Sequence, residues 1–234
     1  MASEAIILAG GLGTRLRSVV SGLPKCMAPV AGRPFLYYVI SYLQKQGVEK
    51  FIFSIGYLSE SIEKFLARNY PELDYQLSIE EEPLGTGGAI YAACKKASTE
   101  NIFALNGDTL FDADTNALLN FHVRHHAECS LALKPMKEFD RYGVVEVYKD
   151  GCIKSFKEKK YYTEGLINGG IYAINTEAFL SRNFPEKFSF EKDYLEALVT
   201  EKQFYGLAHD GYFIDIGIPE DYERAQKEFS ELKF

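Results

Sequence analysis

The chain has 234 residues, enough for one large α/β domain or two very small ones. Its 47% hydrophobic and 25% charged residues are ordinary for a globular protein, and a net charge of −7 excludes a global positive field that would recruit nucleic acid or an anionic membrane. A phosphorylated ligand would have to be held by local groups: backbone N–H, a few Arg and Lys, or a metal ion.

Ala5–Ala9 is a short continuous apolar run ending in glycines, which predicts a strand buried on both faces. Leu36, Val39, Ile40 and Leu43 repeat at helical spacing, and Gly47 sits where that helix stops. Phe51–Ile55 is the next strand; Leu58, Ile62, Phe65 and Leu66 mark a second amphipathic helix, broken before Pro71. A strand over Asp74–Ile79, a helix opened by Gly85–Gly88 and running through Ala97, and a strand over Asn101–Leu105 continue the alternation. That rhythm predicts an open, mostly parallel sheet with helices on both faces.

The second half is β-rich. Strands are predicted over Ser130–Lys134, Tyr142–Tyr148, Ile153–Phe156 and Leu166–Ile174, with Asp150-Gly151 as a hairpin turn. A helix near Glu191–Thr200, a strand near Phe204–Ala208 and a helix from Pro219 follow, the last burying Ile218, Tyr222, Ala225 and Phe229. No linker, repeat or low-complexity segment divides the chain, so one domain over residues 1–234 is expected, with a β-rich lid or subdomain after about residue 130.

Cys26, Cys94, Cys129 and Cys152 are widely spaced and lack metal-ligand spacing, so they read as small buried hydrophobes in a reducing compartment. The first residues lack a basic region, Ala5–Ala9 is too short for a signal core, and no run approaches about 20 apolar residues. A soluble cytoplasmic protein with no membrane partner is the expectation. Tyr and Phe are plentiful, 16 and 17, which leaves room for a subunit interface and a homo-oligomer.

The strongest local signal is Leu8-Ala9-Gly10-Gly11-Leu12-Gly13-Thr14-Arg15. Glycines after a buried strand let the backbone approach a ligand, and successive N–H groups form an anion-binding concavity. Arg15 adds a forked cation suited to phosphate oxygens, and Lys25 can deliver a second one. The segment is neither a dinucleotide fingerprint, since position 16 is Leu, nor a P-loop. A plain turn is the simpler alternative.

Asp108 follows a predicted buried strand, where ligands of open α/β sheets sit, and can hold Mg²⁺ against substrate phosphates. A turn or cap aspartate is the plainer reading. Asp215, flanked by Ile214 and Ile216, is costly to bury unless paired or metal-bound, so it is the second candidate ligand. Asp112 and Asp114 read as turn or cap residues. Glu158 and Asn168 can hydrogen-bond sugar hydroxyls and Lys159 can hold a phosphate, although Lys157–Lys160 is a charge cluster of a kind usually solvated. His122, His125 and His126 read as a polar helix face.

Gly10–Arg15, Pro24-Lys25, Glu82–Ala89, Asn106-Gly107-Asp108, Glu158-Lys159, Asn168–Tyr172 and Asp215-Ile216-Gly217 occur in the order found in sugar-1-phosphate nucleotidyltransferases, which the chain resembles from residue 5 to about 225. Phe139–Gly143, Gly165–Tyr172 and Glu186–Glu191 resemble the D-glycero-α-D-manno-heptose 1-phosphate guanylyltransferases of that family. The resemblance implies a Rossmann-like (GT-A-like) three-layer α/β fold, with a mostly parallel mixed sheet and a β-rich sugar-binding portion. Many relatives add a C-terminal left-handed β-helix; none is expected here.

It also implies GTP and a sugar 1-phosphate as substrates, Mg²⁺ as cofactor, and a GDP-heptose product destined for capsule or other surface glycans. Leu8, Gly10 and Gly11 would line the base and ribose. Gly13, Thr14 and Arg15 would hold the triphosphate, and Lys25 would bridge the reacting phosphates. Glu82, with Gly85, Thr86, Gly87 and Gly88, would close on the base. Asp108 and Asp215 would bind the metal, and Gly143, Glu158, Lys159 and Asn168 the sugar phosphate. Arg15, Lys25 and Asp108 would be the catalytic set.

Other readings stay open: a mannose-1-phosphate guanylyltransferase or a relative using another base, a glycosyltransferase, for which Asp112-Ala113-Asp114 supplies the letters of an Asp-x-Asp motif, and a regulatory subunit that binds nucleotide-sugar without turnover.

Overall fold

A computed structural model describes residues 4–11, 22–56 and 58–231. The first apolar run forms β1 (Glu4–Leu8). Ala5, Ile6 and Ile7 are fully buried, with Ala5 and Ile7 in one core and Ile6 in the other. Successive side chains thus enter opposite cores, which explains a continuous apolar run in place of an alternating one.

A short ribbon, β2 (Pro29–Val30) with β3 (Arg33–Pro34), leads into α1 (Phe35–Lys45), which ends before Gly47 at a positive φ of 87°. Then come β4 (Lys50–Ile55), α2 (Ser59–Asn69), β5 (Asp74–Ile79), α3 (Gly85–Cys94) and β6 (Asn101–Asn106). The predicted alternation is present. Helix α3 stops short of Ala97 because the next residues serve β1: the N–H and hydroxyl groups of Ser98 and Thr99 donate to the buried Glu4 carboxylate.

The remainder comprises β7 (Thr109–Phe111), α4 (Thr115–Arg124), β8 (Cys129–Phe139), β9 (Val145–Val147), β10 (Ile153–Phe156), β11 (Tyr162–Asn175) and α5 (Thr176–Leu180). A π-helical segment, Phe190–Glu196, precedes β12 (Phe204–Ala208), β13 (Phe213–Asp215) and α6 (Pro219–Glu231). Strands β8 and β11 are longer than the sequence indicated because they pair with each other from Cys129 to Phe139. The strand expected over Tyr142–Tyr148 shortens to β9, which pairs with β10 across a turn where Gly151 takes φ 86°. Of the last helix's expected stripe, Tyr222, Ala225 and Phe229 are buried and Ile218 only partly.

The main sheet has seven strands in the order β12-β8-β11-β6-β1-β4-β5. Neighbours are parallel except where β11 meets β6 and β8. Helices α1, α2, α4 and α6 contribute to one core, and α3, α5 and the π-helical segment to the other, giving three layers with a mostly parallel mixed sheet. This is the fold class expected. Helix and sheet side chains such as Phe35, Leu36 and Phe53 are fully buried, and each such group contributes roughly 1.5–3 kcal/mol.

All four cysteines are free and buried. Among the described residues, no helix is long and apolar enough to cross a membrane. The three histidines do not form a polar face: His122 is 1% exposed, bonded through Nδ1 to the Ser130 hydroxyl (3.0 Å) and through Nε2 to Asn101 Oδ1 (3.1 Å). Asp114 is the N-cap of α4, accepting from the Ala117 N–H, as its cap reading required.

Candidate active site

Strands β1, β4, β5 and β6 end on one edge of the sheet, and the antiparallel β11 arrives there with its irregular stretch between Asn168 and Tyr172. A cleft of about 570 Å³ opens on that edge. Its floor is Leu8, Ala9, Gly10 and Gly11. Asn106, Asp108 and Thr109 form one wall, and Pro83, Gly85, Thr86 and Ala89, around the start of α3, another.

Asp108 is held in place by backbone. The Gly107 N–H donates to Leu8 O (2.9 Å), and a Cβ at Gly107 would come within 2.7 Å of that oxygen, so the turn after β6 requires glycine to pack on the end of β1. The Ile216 N–H donates to the Asp108 carbonyl (3.0 Å), and β7 pairs with β13 with Thr109 opposite Asp215. This small ribbon, not foreseen from the sequence, brings residues 108 and 215 together. Lys25 completes the cluster, its ammonium 2.9 Å from the Asp108 carboxylate. Burial, then the Asp108 charge, raises the Asp215 pKa above the ordinary carboxylate value, opposed by the Gly217 N–H donating to Oδ1 (2.8 Å) and by Lys25.

Two carboxylates and one ammonium fit a hard cation that keeps coordination positions for substrate phosphate oxygens. Among the described residues no group of three His, Cys, Asp or Glu could hold a metal ion unaided. The donor set therefore suits an ion shared with a ligand, not a structural one, and Asp215 is the group such an ion would relieve.

Other expected residues fall in distinct places. Gly13, Thr14 and Arg15 lie outside the described residues. Gly87 and Gly88 are buried, where their N–H groups donate to the Phe188 carbonyl (3.0 and 3.4 Å). A Cβ at Gly87 would run into the Phe188 ring, so these glycines let the segment before the π-helical turn clamp the start of α3. Gly85 has φ 72°, and a Cβ there would lie 2.5 Å from the Phe188 oxygen. Glu82 is exposed and does not line the cleft. Neither do Gly143, Glu158 and Lys159; the last two are exposed, beside Gly143 on the strand-poor segment after β10. Asn168 stands one step behind the wall, its Nδ2 donating to the Tyr172 hydroxyl (2.9 Å) and to Glu191 Oε1 (3.3 Å), both lining residues.

Glu80, Thr109, Phe190 and Glu191 line the cleft without having been singled out. Glu191 and Phe190 sit at the start of the π-helical segment, where the Phe190 N–H donates to Thr86 Oγ1 (3.0 Å). Glu80 follows the last residue of β5, two positions before Glu82, which the resemblance had assigned to the base.

The chain matches known proteins over nearly its whole length. The nucleotidyl transferase family model matches residues 4–231. The chain is similar to the D-glycero-α-D-manno-heptose 1-phosphate guanylyltransferase of Aneurinibacillus thermoaerophilus, 53% identical over 225 residues, covering 96% of this chain and 97% of that one. It is 44% identical to the protein of that name from Campylobacter jejuni, over 94% and 96% of the two chains. HddC from Yersinia pseudotuberculosis, crystallised with GMP-PN, superposes with a TM-score of 0.86 at 36% identity, over 97% of this chain and 99% of that one. With its cleft on the sheet edge and a match running nearly end to end, the chain belongs to the nucleotidyl transferase family.

Proposed function

We propose that this protein is a single-domain enzyme that transfers GMP from GTP to D-glycero-α-D-manno-heptose 1-phosphate, releasing pyrophosphate and GDP-heptose. The observation that carries the chemistry is the convergence of Lys25, Asp108 and Asp215 beside the Gly10–Gly11 floor. The two substrates are supported by the names and identities of the relatives.

The nucleophile is a phosphate oxygen of the sugar 1-phosphate, already anionic near neutral pH, so no side-chain base is needed. The difficulty is bringing two anions together in line, which positioning and charge neutralisation address. Lys25 neutralises oxygens of the reacting phosphates, and Arg15 with the amides near Gly13 and Thr14 holds the triphosphate. Leu8, Gly10 and Gly11, with Gly85 and Thr86 at the start of α3, seat the nucleoside, and Gly87 and Gly88 support them from behind by packing on Phe188. Asn168, braced against Tyr172 and Glu191, orients the sugar, with Gly143, Glu158 and Lys159 approaching from the β-rich side. Asp108 and Asp215 hold Mg²⁺, which supplies further charge neutralisation at the phosphates when bound. Glu82 contributes from the rim. The enzyme works in the cytoplasm, and its product feeds capsule or related surface glycans.

The test is pyrophosphate release with Mg²⁺, crossing five nucleoside triphosphates against heptose, mannose and glucose 1-phosphates. A signal for GTP with the heptose phosphate is expected. A signal confined to another pair would retain the mechanism and discard these substrates.

A further inference from the structure

Residues 140–144, between β8 and β9, form no strand, yet they are tied down at two points. At the first, Arg141 Nη2 donates to Asp221 Oδ2 on α6 and to the Tyr142 hydroxyl (3.3 Å). The Tyr142 ring meets Phe213 edge-on, with centroids 5.9 Å apart, and Phe213 lies two residues before Asp215 on β13. At the second, the Lys157 N–H donates to Val144 O (2.8 Å), and a Cβ at Gly143 would run into the Lys157 oxygen. Lys157 directly precedes Glu158 and Lys159. From Arg141 to Val144 the chain can span at most roughly 11 Å, so the two ties have little slack between them.

The segment thus joins the strand that carries one candidate metal ligand to the residues assigned to the sugar phosphate. Burial, then the charges of Glu191 and Glu158, raises the Glu196 carboxyl above its ordinary value. Glu158 therefore faces the π-helical segment, whose first residues, Phe190 and Glu191, line the cleft. A shift of the 141–144 span would move Glu158 and Lys159 against that wall and against Asp215.

Asp221 has two partners, and only one of them concerns this span. The residue is 7% exposed; Oδ2 takes Arg141, while Oδ1 faces Arg224 Nη2 at 3.5 Å within α6. A nearly buried carboxylate must be paired, and Arg224 meets that need inside the helix. What Arg141 adds is the connection from α6 to the segment. We propose that Arg141 is a positioning residue, which through Asp221 holds Gly143, Glu158 and Lys159 in register with the carboxylates at 108 and 215; the inference rests on the sugar-phosphate role given to those three residues above.

The test measures kcat/KM for the heptose phosphate at saturating GTP, the Kd of GTP with Mg²⁺, and amide hydrogen exchange at 140–144. Misplacement by about an ångström sets the scale, so Arg141→Ala and Asp221→Ala should each lower kcat/KM by about a hundredfold, with the Kd of GTP within about threefold of the wild type. The double variant should be no worse than either single one, because both break the same tie. Arg224→Ala removes the other partner of the same carboxylate and a bond to the Phe213 carbonyl (3.4 Å), and should leave kcat/KM within about threefold. Exchange at 140–144 should quicken in Arg141→Ala and not in Arg224→Ala. Additive losses in the double variant overturn the proposal, as does an equal loss in Arg224→Ala or a matching weakening of GTP, the results of a purely structural part. Should Asp221→Ala not fold, Arg141→Lys decides. A single nitrogen makes the bond to Asp221, so a lysine should keep kcat/KM within about fivefold of the wild type; a lysine variant as poor as the alanine overturns the proposal. A wild type that releases no pyrophosphate with any substrate pair, yet shows the quickened exchange in Arg141→Ala, would refute the assigned reaction and leave the tie standing.

Discussion

Lys25, Asp108 and Asp215 set two carboxylates against one ammonium, so the cluster is net negative in a partly buried place. In the absence of a cation that arrangement is unfavourable, as the raised pKa of Asp215 records, and its burial is the largest cause. Asp215→Asn removes the charge and retains an oxygen for the Gly217 N–H. It should raise stability in chelator at neutral pH by roughly 0.5–2 kcal/mol, the scale of a single stabilising substitution, while turnover is lost. A variant less stable than the wild type under those conditions would mean that Asp215 contributes to the fold. Lys25 differs, since its partner Asp108 is present in the ligand-free cluster. Lys25→Ala should lower kcat by about two to three powers of ten if the ammonium stabilises charge in the transition state. An unchanged kcat with a raised KM would confine it to ground-state binding.

At the scale of elements, α4 carries a titration of its own. Burial pushes His122 down to about 4 from the ordinary 6.5, so the folded chain resists a proton that the unfolded chain accepts. Its contribution is intact above pH 6.5 and is lost as pH falls from there toward 4. At pH 5 the loss is about 2 kcal/mol, taking 1.36 kcal/mol per unit. Urea unfolding at pH 7 and pH 5 should therefore show a fall that is smaller by about that amount in His122→Gln, whatever the variant costs at pH 7; parallel falls would dismiss the assignment. His122 also shows where the sequence was silent. Three histidines in a polar stretch look solvated, and only the Ser130 and Asn101 partners, supplied by β8 and β6, make one of them a core residue. Strands and helices of the first half were legible because their apolar periods depend on local spacing. The β7–β13 ribbon was not, because three-residue strands carry no period and their pairing joins residues about a hundred positions apart. The π-helical segment was read as an ordinary helix for a related reason: Phe190 and Tyr194 keep near-helical spacing, while the clamp on Gly87 and Gly88 lies outside any local pattern.

Across the whole molecule, the cleft takes its lining from residues 8–11 and 25–26, from positions between 80 and 90 and between 106 and 109, and from 172, 190, 191 and 215. Glycine loops and a strand-end aspartate marked several of these in the sequence, whereas Glu80 and Glu191 became visible only once β5 and the π-helical segment reached the same opening. A ligand in that opening touches both halves of the sheet and binds the folded state alone, so it should stabilise the entire chain and not one lobe. Nucleotide at 100 times its Kd adds about 2.7 kcal/mol by mass action. For a chain of this size each kcal/mol moves Tm by about 2–4 °C, which places the expected shift near 5–11 °C. Because Asp108 and Asp215 are assigned to the cation, Mg²⁺ should enlarge the nucleotide-induced shift in the wild type and leave it unchanged in Asp215→Asn. A wild-type Tm that does not respond to GTP with Mg²⁺ at millimolar concentration would remove the cleft as the nucleotide site. An Mg²⁺ increment that survives Asp215→Asn would place the ion elsewhere on the same edge.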